Sequence, residues 1–153
     1  VQALGLAELG WAAGFIDADG SIGLMLRKAY LPPKVSPYVS ANGVAKEPIE
    51  LLHTYFGGSL YLVTRRGWSG LSQAQGQWIW RVQGYDALDV LEVLQPFLVL
   101  KCSRAWLARE GFLQQQEAWE RHKVRGKDSP QLRALVEGYH AAMTHLNSRK
   151  EAA

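Results

Sequence analysis

The stretch from Leu4 to Gly20 constrains this chain most: an almost wholly apolar helical run that closes on Asp17, Asp19 and Gly20. Leu6, Leu9, Ala13 and Ile16 recur at helical spacing and are expected to face a core. Gly10, Gly14 and Ala18 recur every four residues and form a second stripe almost bare of side chain, with Trp11 and Phe15 filling the remaining sector. A helix that is apolar on every side is buried on every side. Glycine in a helix interior costs about 1 kcal/mol against alanine, so two on one face point to a second backbone approaching closely there. The end of the run is electrostatically adverse, because a helix C-terminus carries partial negative charge and disfavours each acid beside it by about 0.3–1 kcal/mol. Something positive, or a donor array from another helix, has to offset Asp17 and Asp19. The run falls short of the roughly 20 apolar residues of a membrane span and lacks the basic flank of a signal peptide. No membrane partner is expected, and the protein is expected to be intracellular, in cytoplasm, nucleoid or organelle.

The sequence has 153 residues, 48% of them apolar, which is enough for one domain with its own core. The expected organisation is a single domain over 1–153, with a core from about 6 to 122 and a C-terminal helix from about 129 to 147. Cys102 is the one cysteine, which excludes an internal disulfide, and with four scattered histidines it offers no zinc site. A net charge of +3 is only mildly basic. Its distribution says more, since Arg27, Arg65, Arg66 and Arg81 all fall in strand-like segments.

After Gly20, read as a glycine just past the helix end, Ser21 to Ala29 alternates, with Ile22, Leu24 and Leu26 inward and Gly23, Met25 and Arg27 outward. Pro32, Pro33 and Pro37 are read as a loop. Tyr38 to Val44 is a second strand, Val39 and Ala41 inward, Ser40 and Asn42 outward. Pro48 suits the first turn of a helix carrying Ile49, Leu52 and Phe56 and ending at Gly57-Gly58. Leu60 to Arg66 and Gln77 to Gln83 are strands flanking a Gly, Ser and Gln-rich loop, the latter with Trp78, Trp80 and Val82 inward. Tyr85 to Leu94 is a helix stopped by Pro96, a long helix runs from about Lys101 to His122, and Ser129-Pro130 caps a last one. Adjacent strand pairs imply a largely antiparallel sheet with helices on one face, an α+β architecture. The other face shows Met25, Arg27, Ser40, Asn42, Arg65, Gln77, Ile79 and Arg81, with almost no acid. Such a surface can read base edges from a DNA major groove, arginine bridging guanine O6 and N7, while some of its members touch only phosphates.

Over Ala12 to Gly20, and most closely in Ala13-Gly14-Phe15-Ile16-Asp17-Ala18-Asp19-Gly20, the sequence resembles the LAGLIDADG homing endonucleases. Leu94 to Lys101 resembles the family segment that carries a basic residue, and the likeness in pattern covers about Leu6 to Leu113. The implied fold is αββαββα with an antiparallel DNA-binding sheet, here followed by extra helices. One copy of the motif implies a homodimer whose first helices pack side by side through Gly10, Gly14, Asp17 and Ala18. It also implies a long quasi-palindromic double-stranded DNA target, protein symmetry being mirrored in the site.

The resemblance implies that Asp19 is a metal ligand, with the backbone carbonyl of Ala18 helping to hold Mg²⁺ or another divalent cation. Asp17 is implied to accept hydrogen bonds from the N-terminus of the partner's helix. Lys101, a cation at a helix start, is implied to sit near the scissile phosphate and stabilise the transition state. Lys46 is read at the end of the second strand, where relatives often carry a water-positioning amide. Arg27, Arg65, Arg66 and Arg81, with Met25, Ser40, Asn42, Gln77 and Ile79, are the expected DNA-binding set. The expected activity is Mg²⁺-dependent, site-specific cleavage of DNA by an intron-encoded enzyme. The alternatives are an RNA maturase that assists splicing of a host intron RNA, or a non-catalytic DNA-binding module on the same scaffold.

Overall fold

Among the described residues, four antiparallel strands carry helices on one face. A computed structural model describes residues 3–64, 76–122 and 128–148. Helix α1 (Leu6–Asp19) runs directly into β1 (Gly20–Arg27), followed by β2 (Lys34–Gly43), α2 (Lys46–Phe56), β3 (Ser59–Val63), β4 (Gln77–Gln83) and α3 (Tyr85–Leu94). A 3-10 turn over Gln95–Phe97 then leads to α4 (Cys102–His122) and α5 (Pro130–Ser148). The sheet order is β1-β2-β4-β3, every neighbouring pair antiparallel. The αββαββα order with two extra helices is the expected one.

The core lies between sheet and helices. Ile22, Leu24, Val35, Val39, Ala41, Trp80 and Val82 face Ala12, Ala13, Ile16, Ile49, Leu52, Val90, Leu91 and Leu94 across it. Trp80 is fully buried, and its one donor is satisfied at 2.7 Å by the carbonyl of Gly57 at the end of α2, as a buried indole requires. No helix among the described residues is long and apolar enough to cross a membrane.

Several local expectations need correction. β2 begins at Lys34, not Tyr38, so Pro37 lies within a strand, opposite Leu24. The proline is tolerated because its carbonyl accepts from Gly84, just past the end of β4, so its missing N–H faces a place where no ladder partner remains. One step further out, Val35 is paired by a side chain: its N–H donates to Gln115 Oε1 at 2.6 Å, and Gln115 Nε2 donates to its carbonyl at 3.1 Å. β1 ends at Arg27 instead of Ala29. Leu6, expected in the core, is 76% exposed, because α1 buries only the side bearing Ala12, Ala13, Ile16 and Asp17. Gly20 is extended (φ −88°), not left-handed. Glycine is needed there for another reason: a Cβ would stand 2.8 Å from the backbone of Ile16, where helix turns sharply into strand. Ser129 caps α5 as expected, its hydroxyl accepting from the N–H of Leu132 at 3.4 Å.

Candidate functional site

The adverse charge of Asp17 at the end of α1 is resolved inside the chain. Asp17 is 8% exposed, and its carboxylate accepts from the N–H groups of Val99 (2.6 Å), Leu100 (3.2 Å) and Lys101 (2.9 Å), just ahead of α4. Lys101 in turn extends its ammonium to the last carbonyls of α1, donating to Ile16 O at 2.9 Å and to Asp17 O. Each helix end thus receives the charge that its own partial charge favours, an anion at the N-terminus of α4 and a cation at the C-terminus of α1. This corrects the expected role of Asp17, whose donors come from its own chain and not from a partner's helix. The cause is topological: α3 and the 3-10 turn bring the chain back across the end of α1, so the nearest orphan N–H groups are intramolecular.

Asp19 differs from Asp17 in every respect. It is exposed, and it makes no hydrogen bond or ion pair among the described residues. Oxygen donors of this kind, a carboxylate beside the exposed end of a helix at Ala18, suit a hard divalent cation, which binds through few carboxylates and keeps waters. No group of three or more His, Cys, Asp or Glu that could hold a metal ion occurs among the described residues.

Gly10, Gly14 and Ala18 lie together on the exposed side of α1. A Cβ built at Gly10 or Gly14 would meet nothing within 4 Å. Nothing in the described chain explains why alanine, the better helix former, is absent from either position.

Lys46 is not at the end of a strand. It is the first residue of α2, ion-paired with Glu50 at 2.9 Å, its ammonium 5.1 Å from the ring of Trp78, on the helix-covered side of the sheet. Strand register still places it at the same end of the sheet as Asp19, since Gly20 stands opposite Ala41 and β2 ends two residues later.

The outward face of the sheet is as expected where it is described. Met25, Arg27, Ser40, Asn42, Gln77, Ile79 and Arg81 all project there, and the four strands contain no Asp or Glu. Arg65 and Arg66 lie outside the described residues. Side chains on this face brace one another: Asn42 Nδ2 donates to Gln77 Oε1 and Arg27 Nη2 to Gln83 Oε1, each at 3.4 Å. The Arg81 guanidinium stacks 4.7 Å from the centre of the Tyr38 ring. Tyr38 in turn covers Gly23, where a Cβ would stand 2.6 Å from its hydroxyl. Lys34, Ser36 and Tyr38 join the face as well. Three prolines masked the start of β2 and with it Lys34 and Ser36, although the alternation of Val39 and Ala41, carried back through Pro37 and Val35, would have found them; Tyr38 lies inside the expected strand, and the same alternation sets it outward.

No protein-family model matches the sequence, and no curated protein does. Solved structures do. The homing endonuclease I-CvuI, solved with the I-CreI target and 2 mM Mg and with the DNA not cleaved, is similar over 96% of this chain and 86% of its own, with a TM-score of 0.69 at 20% identity. The archaeal intron-encoded homing endonuclease I-Vdi141I, complexed with DNA, is similar over 87% of this chain and 96% of its own (TM-score 0.53, 16% identity). The LAGLIDADG homing endonuclease I-GzeII, also with its DNA target, matches 88% of this chain but only 44% of its own (TM-score 0.61, 17% identity). At these identities the likeness is one of architecture, and it extends over nearly all of this sequence: the chain has the LAGLIDADG homing-endonuclease fold.

Proposed function

We propose that this chain is a site-specific endonuclease that hydrolyses phosphodiester bonds in double-stranded DNA as a homodimer, with residues 1–153 acting as one domain. The observation that carries the proposal is the division of labour between the two acids of the motif. Asp17 is buried and consumed by structure, whereas Asp19, two residues on, is exposed and unengaged at the edge of an acid-free sheet face. Solved proteins of this fold were captured with target DNA in the presence of Mg or Ca, which supports a divalent-cation reading here.

The sheet sets the scale of the target. Asp19 precedes β1 at one end and Arg27 closes it at the other, eight residues along. At about 3.3 Å per residue that is about 25 Å, or about seven base pairs of duplex. Arg81, Asn42 and Gln77 lie nearer the Asp19 end and Arg27 and Lys34 at the far one. Base readers and phosphate contacts are therefore spread along a half-site, and a symmetric pair of chains would read a quasi-palindrome. The bare stripe of α1 is the surface on which the second copy packs, because Gly10, Gly14 and Ala18 recur on one exposed side of a helix whose other side is buried, and a Cβ at either glycine would meet nothing among the described residues.

Asp19, with the carbonyl of Ala18, would hold Mg²⁺, which when bound supplies Lewis-acid polarisation of the phosphate and a more acidic water. Lys101 places a fixed positive charge at the end of α1, which lowers the electrostatic cost of bringing a phosphate up to Asp19. Lys46 stands at that end of the sheet as well, its charge balanced by Glu50 until a phosphate competes for it. Encoding within an intron is part of the same proposal and rests on the fold shared with I-Vdi141I. In vitro selection of cleaved sequences from a random duplex pool, with Mg²⁺ and with chelator, tests it. Recovery of a long, two-fold symmetric site only with Mg²⁺ is expected; recovery of no cut sequence, or of an unsymmetric one, overturns the reading.

A further inference from the structure

At the end of the sheet farthest from Asp19, β2 extends beyond β4 and a cavity of about 420 Å³ opens between the strand ends, the start of α3 and the middle of α4. Its walls include Arg27, Tyr30, Lys34, Tyr85, Phe112 and Trp119. We infer that this cavity is a nucleotide pocket, taking one unpaired base together with its phosphate. It adjoins the far end of the outward sheet face, sharing Arg27, Lys34 and Ser36 with it, and only its link to a bound strand rests on the function proposed above.

Three features of the walls select that ligand. Four aromatic rings supply flat apolar surface, on which any base stacks whatever its identity. Two cations and no carboxylate line the cavity, so an anion meets attraction without opposing repulsion. Lys34 is already fixed by rings, its ammonium 3.5 Å from the centre of Tyr30 and 5.8 Å from that of Trp119, so its charge is held in place before a ligand arrives. The volume is that of a small-ligand site: room for one nucleotide and far too little for a duplex.

The remaining polar groups fit the edge of a base. Ser36 and Gln116 also line the cavity, whereas Gln115 is spoken for by both backbone groups of Val35. Tyr85, 64% exposed, stands edge-on to Phe112 with centroids 5.1 Å apart, which leaves its ring available as a lip. Arg27 and Ser36 belong at once to the cavity and to the outward face of the sheet. A strand leaving a duplex laid on that face would pass directly over the opening.

Calorimetric titration of the intact chain with 5′-AMP, adenosine and inorganic phosphate tests the pocket itself. Saturable binding of 5′-AMP, weaker binding of either fragment, and about a tenfold loss of affinity in Tyr85→Ala and in Lys34→Gln are expected, with thermal melts confirming that both variants fold. A second arm compares short duplexes that are blunt or carry one unpaired 5′ nucleotide. Tighter binding of the overhang, abolished by Tyr85→Ala, identifies the strand as the source. Equal binding of the two duplexes, with 5′-AMP still bound, identifies a free nucleotide. No saturable 5′-AMP binding together with no preference for the overhang overturns the inference. So does 5′-AMP binding that neither variant weakens. Cleavage of selected duplex is scored separately and is expected to be unchanged in Tyr85→Ala, so loss of the pocket and failure of the nuclease reading remain distinguishable.

Discussion

At the scale of the residue, two aspartates in one short motif are separated by what surrounds them. Asp17 accepts three backbone N–H groups and Lys101 returns a cation to the carbonyls of α1. Charge-assisted bonds to helix-end donors are worth more than neutral ones, and their loss leaves partly buried donors unpaired. Asp17→Ala is therefore expected to cost about 3 kcal/mol, read as a lower midpoint in urea. A midpoint unchanged from that of the parent would show the clamp to be idle. Asp19, exposed and unengaged, is expected to behave in the opposite way. Asp19→Asn should leave the unfolding free energy within about 0.5 kcal/mol of the parent and keep DNA binding, while abolishing Mg²⁺-dependent cutting of the selected duplex. Persistent cutting by that variant removes Asp19 from the chemistry.

At the scale of the element, side chains complete what the strands leave open. Gln115 is 1% exposed and serves both backbone groups of Val35, standing in for a strand at the place where β4 has already ended. Gln115→Leu keeps much of the volume but strands a buried N–H and a buried C=O, and is expected to cost about 2–4 kcal/mol; equilibrium unfolding gives the number, and a cost below about 0.5 kcal/mol would contradict the account. The helix α1 makes a different prediction. Since a Cβ at Gly14 meets nothing in the chain, Gly14→Leu should fold as a monomer with native circular dichroism yet fail to dimerise in sedimentation. An intact dimer in that variant would move the interface elsewhere.

At the scale of the whole molecule, all helices lie behind the sheet and the acid-free face is left open. Arg27, Lys34 and Arg81 are the described cations on that face, so a symmetric dimer presents about six phosphate-binding charges. Raising salt from about 50 to about 200 mM should then lower duplex affinity about a thousandfold. A nearly flat salt dependence would mean that the phosphate backbone is not what this face meets. Lys34 and Ser36, absent from the set expected at the start, stand on the face because β2 begins four residues earlier than the prolines of the loop implied.

Much of this was legible in the residues alone, for reasons that are local. Alternation over Ile22, Leu24, Trp80 and Val82 marks strand faces, helical spacing over Ile49, Leu52 and Phe56 marks α2, and an apolar run that ends in two acids is unusual enough to announce a specialised helix end. Even the need for donors opposite Asp17 could be stated from helix electrostatics. Where those donors come from could not, because it depends on α3 and the following turn carrying Val99 to Lys101 back to the end of α1, over 82 to 84 positions in sequence. The strand order and the side-chain completion of β2 by Gln115 share that origin. Local periodicity records which side of an element is apolar; only closure of the chain decides which distant backbone it meets.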